Sequence, residues 1–250
     1  MKIMGILNVT PDSFADGGRH NSCEDAVKHA RAMIAEGVDV IDVGGESTRP
    51  GAERVSEAEE IARVIPVITE LAKDGVPISI DTMRASTALA AVNAGAQIIN
   101  DVSGGLADPE MLAMAADLNV RYIAMHWRGA SKDMDSKAIY GDVVQEVISE
   151  LQARITAAID AGIEPENLVL DPGIGFAKDA EHNWAIINGI EEFVSLGYPV
   201  LVGASRKRFL GGDSPDEREA ASIALTKQLS TSGIWGVRVH SVKPHKEAIA

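Results

Sequence analysis

Short runs rich in Val and Ile recur eight times along this chain, each followed by a polar or Gly-rich loop and then a helical pattern. The runs are Lys2–Leu7, Val38–Val43, Pro77–Asp81, Gln97–Asn100, Val120–Met125, Asn167–Asp171, Pro199–Gly203 and Ile234–Val239. Most are continuously apolar, the pattern of parallel strands buried on both faces. Amphipathic helices lie between them. Ala26, Val27, Ala30, Met33 and Ile34 share one helical face, and Ile61, Val64, Ile65, Ile68 and Leu71 share another. Ser56 with Glu59 makes a capping box for the second of these, while Pro66 predicts a kink or a later start. Val144, Val147, Ile148, Leu151, Ile155 and Ile159 repeat the helical spacing. Eight βα units predict an α/β fold, a (β/α)8 TIM barrel with residues 1–250 as a single domain. An open doubly wound sheet is the alternative, but its G-x-G-x-x-G fingerprint is missing after the first strand. Only Ser241–Ala250 follow the eighth strand, which predicts a last helix of little more than two turns.

Charge and cysteine content narrow the setting. With 23 basic and 37 acidic residues the net charge is −14, which argues against nucleic-acid and anionic-membrane surfaces. The lone Cys23 excludes an internal disulfide framework and fits a reducing compartment. No apolar run approaches the roughly 18 residues of a membrane span, and the first ten residues do not read as a signal peptide. The expectation is a soluble cytoplasmic protein acting on small molecules.

In such barrels chemistry occurs where strands end and βα loops begin. Polar residues stand there almost every time: Asn8 after the first run, Asp81 after the third, Asn100 and Asp101 after the fourth, Asp171 after the sixth. Ser205, Arg206, Lys207 and Arg208 follow the seventh, and Arg238 and His240 alternate at the eighth, facing the same way. Acids and amides thus come from strands three, four and six, and cations from strands seven and eight. This division suggests a two-ended ligand: N–H donors at one end for the carboxylates, an anion at the other, where barrel phosphate sites commonly lie. A single Asp at a strand end is most often a loop anchor; the whole set on one rim is harder to explain that way. Two long Gly-rich loops, Val9–Arg19 and Gly44–Gly51, have the character of lids. The segment Gly173–Lys178 lacks the full phosphate-loop spacing, and neither H-E-x-x-H nor paired C-x-x-C zinc signatures occur.

Several segments resemble dihydropteroate synthases: Asn8-Val-Thr-Pro-Asp-Ser-Phe14, Asp16-Gly-Gly18, Asp42-Val-Gly-Gly-Glu-Ser-Thr-Arg-Pro-Gly51, Ser79-Ile-Asp-Thr82, Asn100-Asp-Val-Ser-Gly-Gly105, Leu170-Asp-Pro-Gly-Ile-Gly-Phe176, Ser205-Arg-Lys-Arg-Phe209 and Arg238-Val-His240. The match runs from first strand to eighth in the family's order. Met125-His-Trp-Arg128 and Glu181-His-Asn-Trp184 look closest to its actinobacterial branch. The resemblance implies condensation of 6-hydroxymethyl-7,8-dihydropterin diphosphate with p-aminobenzoate, giving 7,8-dihydropteroate and diphosphate in folate synthesis. It implies a pterin site of Asp81, Asn100, Asp171, Lys207 and Arg238, with Asp171 taking the amino-pyrimidinone edge and Arg238 lying on the ring face. Diphosphate would meet Asn8, Thr48, Arg238 and His240, and Mg2+ would join through Asn8. Thr10, Phe14, Pro50, Phe176 and Arg208 would shape the p-aminobenzoate pocket, its carboxylate near a helix beginning around Lys207–Arg208. Asp16 and Arg49 would act with Lys207, Arg238 and His240 as catalytic residues, the first two from the lids.

Four positions depart from the family's common pattern: Ser241 where Asp is frequent, Trp127 for Met or Gln, Ala177 for Gly, and Arg208 for Ser. The short last helix falls in the region members use to dimerise, so a homodimer stays open. Other readings are a pterin-binding methyltransferase, a Schiff-base aldolase using Lys207, and a poorly active pterin-binding paralogue. The first would not need the lid motifs, the second would be trapped by borohydride, and the third would not release diphosphate with p-aminobenzoate.

Overall fold

The computed structural model describes residues 1–10, 19–46, 55–129 and 134–250. Eight strands form one all-parallel sheet: β1 (Lys2–Asn8), β2 (Val40–Gly44), β3 (Ile78–Asp81), β4 (Ile98–Asp101), β5 (Arg121–Met125), β6 (Leu168–Asp171), β7 (Leu201–Val202) and β8 (Gly236–Val239). Their order is β6-β5-β4-β3-β2-β1-β8-β7. A parallel bridge between Leu170 and Val200, with Leu170 N donating to Pro199 O at 2.9 Å, joins the two edges and closes the barrel. All eight expected strands are present. β7 is the shortest, starting after Pro199, which has no N–H for a ladder, and ending before Gly203.

Met4, Val40, Ile98, Ile123, Val169 and Leu201 fill the barrel interior, with Trp235 packed against them. Strand alternation sends the next inward residues up to the C-terminal rim. Outward-facing strand residues such as Ile3, Ile41, Ile80 and Ile99 belong to a larger core beneath the helices.

The helices are α1 (Arg19–Ala35), α2 (Glu57–Leu71), α3 (Ala85–Asn93), α4 (Met111–Leu118), α5 (Val143–Asp160), α6 (Ala180–Asn188), α7 (Ile190–Val194), α8 (Glu219–Leu229) and α9 (Lys243–Ala248). Helix α2 corrects two expectations. It starts where the cap places it, with Ser56 Oγ accepting from Glu59 N at 3.3 Å, and runs on past Pro66. Pro66 is exposed, so the carbonyl deprived of its N–H partner can be hydrated instead. Its buried face carries Val67 and Glu60 instead of Ile61. Glu60 is only 1% exposed because Thr82, Arg84 and Thr87 all bond its carboxylate. The last helix has six residues. Among the described residues no helix is long and apolar enough to cross a membrane.

Candidate active site at the C-terminal rim

Register brings the rim residues level. Asn8 pairs with Gly44, Gly44 with Asp81, Asp81 with Asn100, and Met125 with Asp171. Asp42, Asp81, Asn100 and Asp171 are all buried. Gly44 and Gly203 have no side chain at the mouth; a Cβ on Gly203 would sit 3.8 Å from Asp171 Oδ2, and one on Gly44 3.8 Å from Asn8 Oδ1.

Arg238 is the hub of the acidic side. Its Nε donates to Asp42 Oδ2 and its Nη2 to Asp81 Oδ2, both at 2.6 Å. Asp42 Oδ2 also accepts from Asn100 Nδ2 at 3.0 Å, which turns the Asn100 carbonyl away from Asp42 as a free-standing acceptor. Asp42 was legible only as part of a motif: it lies mid-strand among apolar residues, and the signal that could have found it is its even spacing from Gly44 on the same inward row. Asp171 Oδ1 accepts from Gly173 N at 2.7 Å. That bond fixes the carboxylate plane and aims Oδ2 at the mouth. Gly173 holds φ at +70°, and a Cβ there would lie 2.4 Å from His126 O, so the turn requires glycine.

The cationic side is equally constrained. Lys207 Nζ donates to Ile174 O and lies 4.7 Å above the Phe176 ring. Ser205 Oγ accepts from His240 N at 3.3 Å and meets His240 Nδ1 at 3.0 Å, so the hydroxyl fixes both the backbone and the ring of His240. Arg206 adopts φ +58°, held by Glu219 Oε2 at 2.5 Å and by Ser222 Oγ. Ser241 donates to the other oxygen of Glu219. The departure at 241 therefore supports the Arg206 anchor from behind the loop carrying Ser205 and Lys207.

Burial pushes the Asp81 carboxyl up to about 7; Arg238 pulls it down, and the charges of Asp42, Glu60 and Asp101 push it further up. Burial likewise raises Asp171, against the pull of Gly173 N–H and Lys207. Lys207 is lowered to about 8 by burial, opposed by Asp171 and reinforced by Arg238. Burial disfavours the Arg238 charge, yet Asp42 and Asp81 hold it well above the ordinary range. Such opposed shifts within one cleft mark a site built for ligand charge and hydrogen bonding rather than for stability.

Two readings are corrected. The helix expected around Lys207–Arg208 is a three-residue 3-10 turn, Arg208–Leu210, and α8 begins only at Glu219. So short a turn has almost no dipole, and any anion there depends on side chains such as the exposed Arg208. Asp101 faces outward, where it accepts from Tyr122 Oη at 2.7 Å, Ser103 and Gly105; it braces the β4 loop and does not reach the rim cluster. Thr10 lies at the end of the β1 segment, where Val9 N bonds Gly44 O at 2.7 Å. Phe14, Asp16, Thr48, Arg49 and Pro50 lie outside the described residues. Ala177 takes φ +49°, which accounts physically for the glycine frequent there. Lys178, His126 and Glu150, which sequence reasoning passed over, form a connected chain behind the β6 loop.

Comparison with known proteins agrees with this geometry. Residues 4–240 match the family described as pterin binding enzyme. The dihydropteroate synthase of Mycobacterium leprae is 48% identical over 259 aligned positions, covering 100% of this chain and 91% of the relative. That of Bacillus subtilis is 50% identical over 245, covering 96% and 84%. The Xanthomonas albilineans enzyme solved with 4-aminobenzoic acid superposes with a TM-score of 0.93 at 43% identity, over 99% of this chain and 90% of that one. Its complex with 7,8-dihydropteroate gives 0.90 at 40% identity, with the same coverage. With its barrel, its rim of acids facing cations and its full-length kinship all in agreement, the chain belongs to the pterin-binding enzymes and, among them, to the dihydropteroate synthase family.

Proposed function

We infer that this chain joins 6-hydroxymethyl-7,8-dihydropterin diphosphate to p-aminobenzoate, releasing diphosphate. The observation that carries this reading is the row of acceptors facing one mouth. Asp171 Oδ2, the Asn100 carbonyl and the free oxygen of Asp81 are what remain after Gly173, Asp42 and Arg238 have taken their shares. An amino-pyrimidinone edge carries N–H donors in a row and matches them. Oδ1 of Asp171 retains a second lone pair, so the carboxylate can still accept two ligand hydrogens. Lys207 keeps two N–H groups for the ring's acceptors after donating to Ile174 O.

Reaction breaks the bond between the pterin CH2 and the diphosphate oxygen, which leaves with the electron pair. The arylamine nitrogen then forms the new C–N bond and loses a proton. Positive charge that develops on the CH2 spreads into the pterin, where Asp81 and Asp171 oppose it at close range in a desolvated site. Arg238 and His240 stand on the side of the departing diphosphate. An arylamine is already unprotonated at neutral pH, so its attack needs placement more than a base. Phe176, beside Lys207, offers the ring surface for that placement.

Charge arithmetic tests the expected Mg2+. Among the described residues Asp42, Asp81 and Asp171 face Arg238 and Lys207 at the centre of the site, with Lys178 acting on Asp171 from behind. A polyanionic diphosphate entering there calls for a further cation. Among the described residues no cluster of three His, Cys, Asp or Glu could hold a metal by itself. Asn8, whose side-chain oxygen faces the mouth beside Gly44, would offer a hard oxygen of the kind Mg2+ takes. When bound, it would neutralise the leaving group. The cytoplasm is the place of action in this reading, on the strength of the lone Cys23 and the lack of any membrane-spanning helix among the described residues.

The test is diphosphate release. With the dihydropterin diphosphate and Mg2+, release should require p-aminobenzoate and match dihydropteroate mole for mole. Release without arylamine, or pterin binding with no release, would sink this reading.

A further inference from the structure

Lys178 is buried behind the β6 loop, and its ammonium has all three N–H groups engaged. They point to Gly173 O at 3.1 Å, Phe176 O at 3.0 Å and His126 Nδ1 at 2.8 Å. An ammonium can only donate, so Nδ1 of His126 is the acceptor and the ring proton sits on Nε2. From there it reaches Glu150 Oε2 at 2.9 Å. Glu150 is gripped by Arg128, whose Nη2 lies 2.5 Å from Oε1 and whose guanidinium stacks 3.8 Å from the Tyr140 ring. A chain of directed bonds thus runs from α5 to the inside of the turn at 173–176.

That turn carries two groups that meet Lys207: the Ile174 carbonyl, which accepts from Nζ, and the Phe176 ring beneath it. Its own backbone supplies one bond across it, Phe176 N to Gly173 O at 3.1 Å. Gly173 and Gly175 within it are left-handed, and Gly175 N is tied to Asn183 Oδ1 at 2.7 Å. Burying an ammonium is costly unless every donor is met, and nothing about the barrel's stability requires a charge at this spot. A Met side chain would fill the same volume.

We propose that Lys178 is a positioning residue for the arylamine half of the reaction, holding the 173–176 turn from behind so that Phe176 and the Ile174 carbonyl keep their places against Lys207. The proposal rests on the reading that Phe176 packs on p-aminobenzoate. The pterin edge should be less sensitive, because Asp171 accepts from Gly173 N at the start of the turn and Lys178 reaches that carboxylate through charge, with no hydrogen bond between them.

The experiment is a double-mutant cycle of Lys178→Met and Phe176→Ala, read by KM for p-aminobenzoate, kcat, and calorimetric affinity for 6-hydroxymethylpterin. Lys178→Met should raise the arylamine KM by about tenfold or more while pterin affinity stays within about threefold. The double variant should be little worse than Phe176→Ala alone, since both changes remove the same placement. Nitrogen NMR of His126 should show loss of the single Nε2–H tautomer in Lys178→Met. Effects that multiply in the double variant, or an unchanged arylamine KM in Lys178→Met with a raised one in Phe176→Ala, overturn the proposal. An unchanged KM in Phe176→Ala overturns the arylamine reading itself, and the proposal with it. Should Lys178→Met not fold, Lys178→Gln, which keeps one donor group, carries the same comparison.

Discussion

Asp171→Asn separates recognition from stability in a way the local bonding dictates. The Gly173 N–H, 2.7 Å from Oδ1, selects the orientation of the new amide: its oxygen must stay on Gly173. The NH2 group is thereby forced into the place of Oδ2, facing the N–H donors of a pterin edge. A charge-assisted bond contributes about 1.5–3 kcal/mol and the unsatisfied donors left facing each other cost about 1–3 kcal/mol more, so the change costs about 3–6 kcal/mol. At about 1.4 kcal/mol per decade this is two to four powers of ten in affinity. Stability should move the other way. The folded-state pKa of Asp171 is raised above its ordinary 3.8 by burial, so its ionised form opposes folding at neutral pH, and removing the charge relieves that cost. Calorimetry with 6-hydroxymethylpterin and thermal melts of the ligand-free protein at pH 7 give both readouts. Affinity within a few-fold of wild type refutes the assignment of this edge. A weakened ligand together with a lowered Tm refutes the view that the carboxylate is kept for function.

Three further outcomes follow from the same bonds. Gly173→Ala meets both a left-handed φ and a Cβ 2.4 Å from His126 O, so it should cost about 2 kcal/mol or more, lowering Tm in scanning calorimetry by about 4–8 °C; an unchanged Tm contradicts the geometry. The Lys207 ammonium is the donor form and titrates at about 8, so kcat/KM for the pterin diphosphate should fall as pH rises through that value, and Lys207→Arg should shift the alkaline limb upward. Glu150 is held down to about 2, chiefly by the His126 hydrogen bond and also by Arg128 against the effect of burial; its stabilisation is present above the ordinary 4.5 and lost as pH falls through about 2. Urea unfolding should therefore show Glu150→Gln less stable at pH 7, with the gap to wild type closing between pH 4.5 and 2.

The barrel was legible because parallel strands buried on both faces leave continuous apolar runs, and because chemistry in this architecture sits on one rim. Asp81, Asn100, Asp171, Arg238 and His240 could be found by asking only where each run ends. Asp42 could not, since a buried carboxylate inside a strand looks like an interruption until Arg238 is seen 2.6 Å away across the barrel. Residues 126, 150 and 178 are far apart in sequence and meet only through folding, so no spacing betrays them. Glu60 misled the helix-face assignment for the opposite reason: periodicity assumes charge faces water, whereas Arg84 and two threonines make burial favourable. The stop of the seventh unit at a 3-10 turn followed by a loop, instead of an immediate helix, reflects Gly211 and Gly212 at φ +82° and +78°, which interrupt any helix starting at Lys207.

The central claim is that one ligand spans the rim, with its hydrogen-bond donors on the acids of β3, β4 and β6 and its anion toward β1 and β8. A crystal structure of the chain with 6-hydroxymethylpterin diphosphate tests this directly. The account expects the amino-pyrimidinone edge within hydrogen-bonding distance of Asp171 Oδ2 and the Asn100 carbonyl, and the phosphates beside Asn8, Arg238 and His240. A pterin bound with its edge away from Asp171, or phosphates on the acidic side, would contradict it.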